Sequence, residues 1–158
     1  MSLQPKVHQG EITAEGFRFA IVASRWTESL VAKLIDGAVE ALEEHGAAEG
    51  SIEIFRVPGA FELPLAAKKV AESKKWDAVI CLGVVIRGGT PHFDYVAGAA
   101  ATGSTQASLE TGIPVLFGVI TADNVQQAVD RSGKRNDNKG FEAAMAAIEV
   151  VNLYKEIT

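Results

Sequence analysis

The stretch IRGGTPHFDY, Ile86 to Tyr95, follows the most apolar run in the chain and is dense in residues that handle anions and protons. Gly88 and Gly89 let the backbone turn sharply and come close to a ligand. Thr90 suits a helix N-cap and Pro91 the first helical position, so a helix is expected to begin at Pro91. Its free N–H groups and positive dipole end then point back at the glycine turn, making a phosphate-sized anion site. A Gly-Gly-Thr-Pro turn also serves simply to join a strand to a helix. His92 falls in the first turn, where the dipole disfavours a second positive charge and a neutral imidazole can accept a proton. A histidine that only hydrogen-bonds locally fits the same place.

Other candidates stand at similar points. Trp26, in SRW, suits either a core or a stacking platform for a flat heterocycle. In RVPGAFE, Pro58 and Gly59 form a turn, and Phe61 and Glu62 open the next helix. Glu62 there complements the dipole, and its carboxylate with nearby amides can equally bind hydroxyls. Arg131, Lys134, Arg135 and Lys139 lie in AVDRSGKRNDNKGFEAA, where most such charges are solvated. Lys139 is placed near a helix start, where a cation opposes the dipole, so a bound anion or partner carboxylate would explain it. His8 and His45 are assigned no chemistry. Cys81, inside AVICLGVVI, reads as a small buried hydrophobe.

The elements that must position these residues alternate. FRFAIVAS is a short apolar strand, and the helix after it carries Leu30, Leu34, Ala38 and Leu42 at helical spacing, with Thr27 as N-cap and Gly46 beyond its end. SIEIFRV alternates as a strand, GAFELPLAAKKVAESKKW reads as a helix and AVICLGVVI as a continuous apolar strand. FDYVAGAAATGSTQASLETG follows as a helix, PVLFGVIT as a strand and KGFEAAMAAIEVVNLYKEI as a long amphipathic helix. Strands alternating with helices imply an α/β fold, a three-layer αβα sandwich around a four-stranded parallel sheet. In such a sheet ligands bind beyond the carboxyl ends of the strands, where Trp26, Phe61, Glu62 and His92 lie.

The 158 residues suit a single domain, 1–158, with 1–9 a loose N-terminal tail; Gly10 to Thr13 are able to add a strand to a neighbouring chain's sheet edge. A net charge of −5 argues against broad attraction to nucleic acid or a membrane surface. The N-terminus has no apolar segment of signal-peptide length, so a soluble cytoplasmic protein is expected. Three scattered histidines and one cysteine argue against a dedicated metal site. P-loop, dinucleotide-fingerprint, nucleophile-elbow and zincin motifs are absent from the sequence.

Taken together, SRWTES, RVPGAFELP, LGVVIRGGTPHFDYV, PVLFGVIT and DRSGKRNDNKGFEAAMAAIEVVNL resemble, in order and spacing, the 6,7-dimethyl-8-ribityllumazine synthase family. The likeness runs from Gly10 onward. It implies a flavodoxin-like fold and condensation of 5-amino-6-(D-ribitylamino)uracil with 3,4-dihydroxy-2-butanone 4-phosphate, without metal or organic cofactor. By motif, the resemblance gives Trp26 to the pyrimidine, Ala60, Phe61 and Glu62 to the ribityl side, and Val84, Val85 and Ile86 to the ring. It gives Gly89 and Thr90 to phosphate and proton transfer to His92. Phe117 would close the pocket, and Arg131 and Lys139 would come from the adjacent subunit, Arg131 toward phosphate. Homo-oligomers built on pentamers are implied, with riboflavin synthase as a candidate partner. One loop departs from the family pattern: GKRNDNKG stands where many shell-forming members have a GTKAGNKG-like segment, putting Asp137 at a glycine position, where left-handed backbone is expected. A non-catalytic flavin-binding or cage-forming protein of the same fold is the alternative.

Overall fold

The computed structural model describes residues 2–158. Four strands, β1 (Phe19–Ser24), β2 (Ile52–Val57), β3 (Ala78–Ile86) and β4 (Val115–Ala122), form a parallel sheet in the order β2-β1-β3-β4. Between and after them run α1 (Glu28–Glu44), α2 (Leu63–Glu72), α3 (His92–Thr111), α4 (Val125–Asp130) and α5 (Lys139–Ile157).

The continuous apolar strands of the sequence are the inner ones, because both of their faces are covered. Phe19, Ile21 and Ala23 of β1, with Ala78, Ile80, Leu82 and Val84 of β3, join a core that includes Leu34 and Leu42 of α1 and Ala144 and Ile148 of α5. The intervening Ala20, Val22, Val79 and Cys81 face the other way, against Leu63 and Ala67 of α2 and Ala100 of α3. The expected αβα layering follows from this alternation. Each large aliphatic side chain so buried contributes about 1.5–3 kcal/mol relative to exposure. Strand β2 lies at one edge, and the alternation of SIEIFRV brings it little cover: Glu53 through Arg56 are all exposed.

Several local expectations are corrected. Thr27 precedes α1 with a left-handed φ of 62°, and its hydroxyl caps nothing, because side-chain capping needs extended backbone at that position. Helix α3 begins at His92, one residue later than expected; Pro91, with ψ of 4°, stays outside it, and no side chain caps this end. What GAFELPLAAKKVAESKKW contains is a 3-10 turn, Ala60–Glu62, followed by α2, which stops at Glu72 as Lys74 turns left-handed. The short α4 was not expected; Asn124 starts it by accepting a hydrogen bond from the Gln127 N–H at 2.9 Å. Residues 10–13 form no strand in this chain. In the loop before α5 the left-handed residue is Arg135, φ 49°, and Asp137 needs no glycine-like backbone. Among the described residues, no helix is long and apolar enough to cross a membrane.

Candidate active site

Strand β1 pairs with β3 only from Ala78 to Leu82, whereas β3 and β4 stay paired as far as Ile86 and Ala122. The last residues of β3 therefore overhang β1. From this junction β1 leads into α1 on one face of the sheet and β3 into α3 on the other, which opens a crevice between the diverging segments.

A cavity of about 480 Å³ occupies it. Val84, Val85 and Ile86 form its floor, Trp26, Thr27 and Gly59 to Glu62 one wall, and His92, Tyr95 and Val96 of α3 the opposite wall. Trp26 is 65% exposed, Phe61 61% and Tyr95 74%. Three aromatic rings standing open around an apolar hollow leave the core reading of Trp26 without support.

Backbone contacts fix the first wall. The N–H groups of Arg25 and Trp26 both donate to the Pro58 carbonyl, at 3.1 and 3.0 Å. The Trp26 indole packs directly on Gly59, where any Cβ would collide with the ring. Glu62 Oε1 accepts the Gly59 N–H at 3.1 Å, so one carboxylate oxygen is already engaged in holding the turn. Arg56 donates to the Ser24 carbonyl at 3.0 Å and to Glu28 at 2.6 Å, tying the end of β1 to the start of α1. Ser24 is buried at the strand end, and its hydroxyl has no hydrogen-bond partner among the described residues.

The second wall depends on Arg87. Its N–H donates to the Ala122 carbonyl at 2.8 Å. Its guanidinium reaches Asp123 at 3.1 Å and Asp94 at 3.2 Å and lies 4.4 Å from the centre of the Phe93 ring. The hydrogen bonds it donates to Asp123 and Asp94 hold its charge more firmly than usual. Between Arg87 and exposed His92 runs the arc of Gly88, Gly89, Thr90 and Pro91. Neither glycine has a left-handed φ, and a Cβ on either would meet nothing within 4 Å.

The structure thus brings Trp26, Ala60, Phe61, Glu62, Val84, Val85, Ile86 and His92 into one cavity. Gly89 and Thr90 lie on the arc joining the floor to His92. Three predicted residues are elsewhere in the chain. Phe117 is mid-strand, paired with Cys81, three positions before the level of Val84 and Ile120. Arg131 lines a separate cavity of about 600 Å³ with residues such as Thr121, Gln127 and Asp137. Lys139 starts α5 and meets the carboxylate of Glu142 at 3.1 Å, which explains a cation at that position within the chain itself. Cys81 is inert as expected: burial pushes its thiol up to about 12.

Sequence reasoning did not find Ser24, Thr27, Tyr95 or Val96 as lining residues, nor Arg56 and Arg87 as their supports. Tyr95 and Val96 were accessible, since they lie three and four residues beyond His92 and share its helix face. The link from Arg87 to Asp123 carries no comparable signal, because it is fixed only by the pairing of β3 with β4.

Residues 16–155 match the family model described as 6,7-dimethyl-8-ribityllumazine synthase. The chain is 53% identical over 152 residues to the 6,7-dimethyl-8-ribityllumazine synthase of Clostridium kluyveri strain ATCC 8527, covering 96% of this chain and 99% of the relative. The protein of the same name from C. kluyveri strain NBRC 12016 matches to the same extent. The chain therefore belongs to the 6,7-dimethyl-8-ribityllumazine synthase family.

Proposed function

We propose that the protein condenses 5-amino-6-(D-ribitylamino)uracil with 3,4-dihydroxy-2-butanone 4-phosphate to 6,7-dimethyl-8-ribityllumazine, releasing phosphate and water, in the penultimate step of riboflavin biosynthesis. The observation that carries this reading is the meeting, in one cavity of a family member, of an exposed tryptophan wall with a histidine beside a glycine turn. The uracil stacks on Trp26 over the floor of Val84, Val85 and Ile86. Its ribityl chain follows Ala60, Phe61 and Glu62, whose free carboxylate oxygen accepts from a hydroxyl. Gly89 and Thr90 receive the phosphate, and nothing in the chain itself requires glycine at Gly88 or Gly89, which fits a turn kept open for close approach by a ligand.

The chemistry needs only proton transfers and dehydrations. The 5-amino group adds to the ketone and water leaves to give an imine. Removal of the adjacent proton by His92 drives elimination of phosphate, with the C–H electron pair entering the carbon skeleton as the C–O bond breaks. The enol tautomerises, and the ribityl-bearing nitrogen closes the ring with loss of a second water. Holding both reactants together accounts for up to about 7–11 kcal/mol of the barrier.

In this reading Phe117 closes the pocket, and Arg131 and Lys139 act from an adjacent subunit of a homo-oligomer built on pentamers, Arg131 toward phosphate. Their distance from the cavity of their own chain supports it. The test is to mix the purified protein with both substrates and follow lumazine absorbance. Formation faster than the spontaneous reaction is expected; background rates from folded protein overturn the proposal.

A further inference from the structure

Arg87 joins three parts of the molecule that meet only at the rim of the cavity. It follows the last residue of β3, bonds Asp94 in the first turn of α3 and Asp123 just past β4, and stacks on Phe93. Asp94 and Phe93 flank His92 on its C-terminal side, while Gly88 to Pro91 flank it on the other. No side chain caps this end of α3, and the two glycines are unconfined by neighbouring atoms, so the arc has few other constraints. A planar guanidinium that engages two carboxylates at once fixes direction as well as distance, which a single ion pair does not.

We infer that Arg87 is a positioning residue for the phosphate-binding arc and His92, clamping the first turn of α3 to the end of β4 without touching substrate. This rests on the functional reading above. Two considerations separate positioning from mere stability. Ion pairs this exposed add little to folding, so the protein should survive their loss. A misplacement of about 1 Å in a reacting constellation, by contrast, can cost about 100-fold in rate. Trp26 is held by its own backbone bond to Pro58, so the uracil side should be affected least.

The test uses the assembled protein, with inorganic phosphate titrated calorimetrically and KM measured for each substrate separately. Arg87→Gln is expected to weaken phosphate binding about tenfold and to lower kcat about 10- to 100-fold. The KM for the ribitylaminouracil, the particle size and the thermal midpoint should stay as in the wild type. Arg87→Lys, which keeps the charge and loses the fork, should recover part of both losses. Wild-type phosphate affinity and kcat in Arg87→Gln overturn the assignment. So does an equal rise of both KM values with a lowered midpoint, the mark of a purely structural role. Should Arg87→Gln fail to fold, Asp94→Asn and Asp123→Asn each remove one arm: a partial loss in each supports the clamp, and wild-type behaviour in both overturns it. A wild-type protein without turnover would instead remove the catalytic reading, and the phosphate titrations would then decide the role of Arg87 by themselves.

Discussion

The indole of Trp26 rests on the backbone of Gly59, leaving no room for a side chain between them. The turn before α2 is thus the seat of the proposed stacking platform. Gly59→Ala should push the ring out of place and raise the KM for the ribitylaminouracil about 2- to 10-fold, the range expected when one aromatic contact is weakened. The KM for the butanone phosphate should not move. Unchanged uracil kinetics in the variant would show that the ring does not hold the pyrimidine.

His92 is exposed at the cavity wall and supports no part of the core. His92→Ala should therefore leave folding and particle size intact while lowering kcat. Because the cavity is open to water that can carry protons, the loss should lie at the lower end of the range for a general acid or base, about 100-fold. Wild-type turnover would refute the role.

Asn138 is only 2% exposed, and its side chain uses both ends. Its amide donates to the carbonyls of Lys33 and Gly133, each at 2.9 Å, and its oxygen accepts the Phe141 N–H at 2.9 Å, capping α5. Gly37 on α1 has no room for a Cβ beneath that amide. Asn138→Ala abolishes the cap and strands two carbonyls, so a cost of about 2–4 kcal/mol is expected in equilibrium unfolding. A loss below about 0.5 kcal/mol would mean that water replaces all three bonds.

The Cys81 thiol makes a pH prediction. Its ordinary value of 9.0 is raised to about 12, chiefly by burial. A raised value means that the folded state keeps the proton longer than the unfolded state. The associated stability is complete below pH 9.0 and is lost as the pH climbs toward about 12. Unfolding free energy should fall in that window more steeply than in Cys81→Ala. At pH 8 the native thiol should resist a disulfide reagent and react fully once unfolded; rapid labelling of folded protein contradicts the burial.

How much of this was legible beforehand varies with the kind of interaction. The runs FAIVAS and AVICLGVVI announce inner strands because burial on two faces removes the need for polar alternation. His92 and Trp26 were visible as chemistry next to strand ends. The caps misled: Thr27 and Thr90 are good capping types, yet neither side chain caps, since the path of the chain out of each strand sets the local backbone first. Asp137 was expected to occupy a left-handed position that Arg135 fills, with Glu44 at 2.6 Å and the Phe141 ring holding it. The links of Arg56 to Glu28 and of Arg87 to Asp123 were invisible, because the partners lie 28 and 36 residues apart and meet only through strand register.

The order β2-β1-β3-β4 also bears on how the chain comes off the ribosome. The central pair, β1 with β3, cannot form before residue 82 has been made, and no hairpin is available to substitute for it. Helix α5, which covers the Leu34 side of α1 so closely that Gly140 abuts the Leu34 backbone, emerges after all four strands. Until then an apolar surface of α1 stays bare, so the nascent polypeptide must be shielded from its neighbours until α5 has been made.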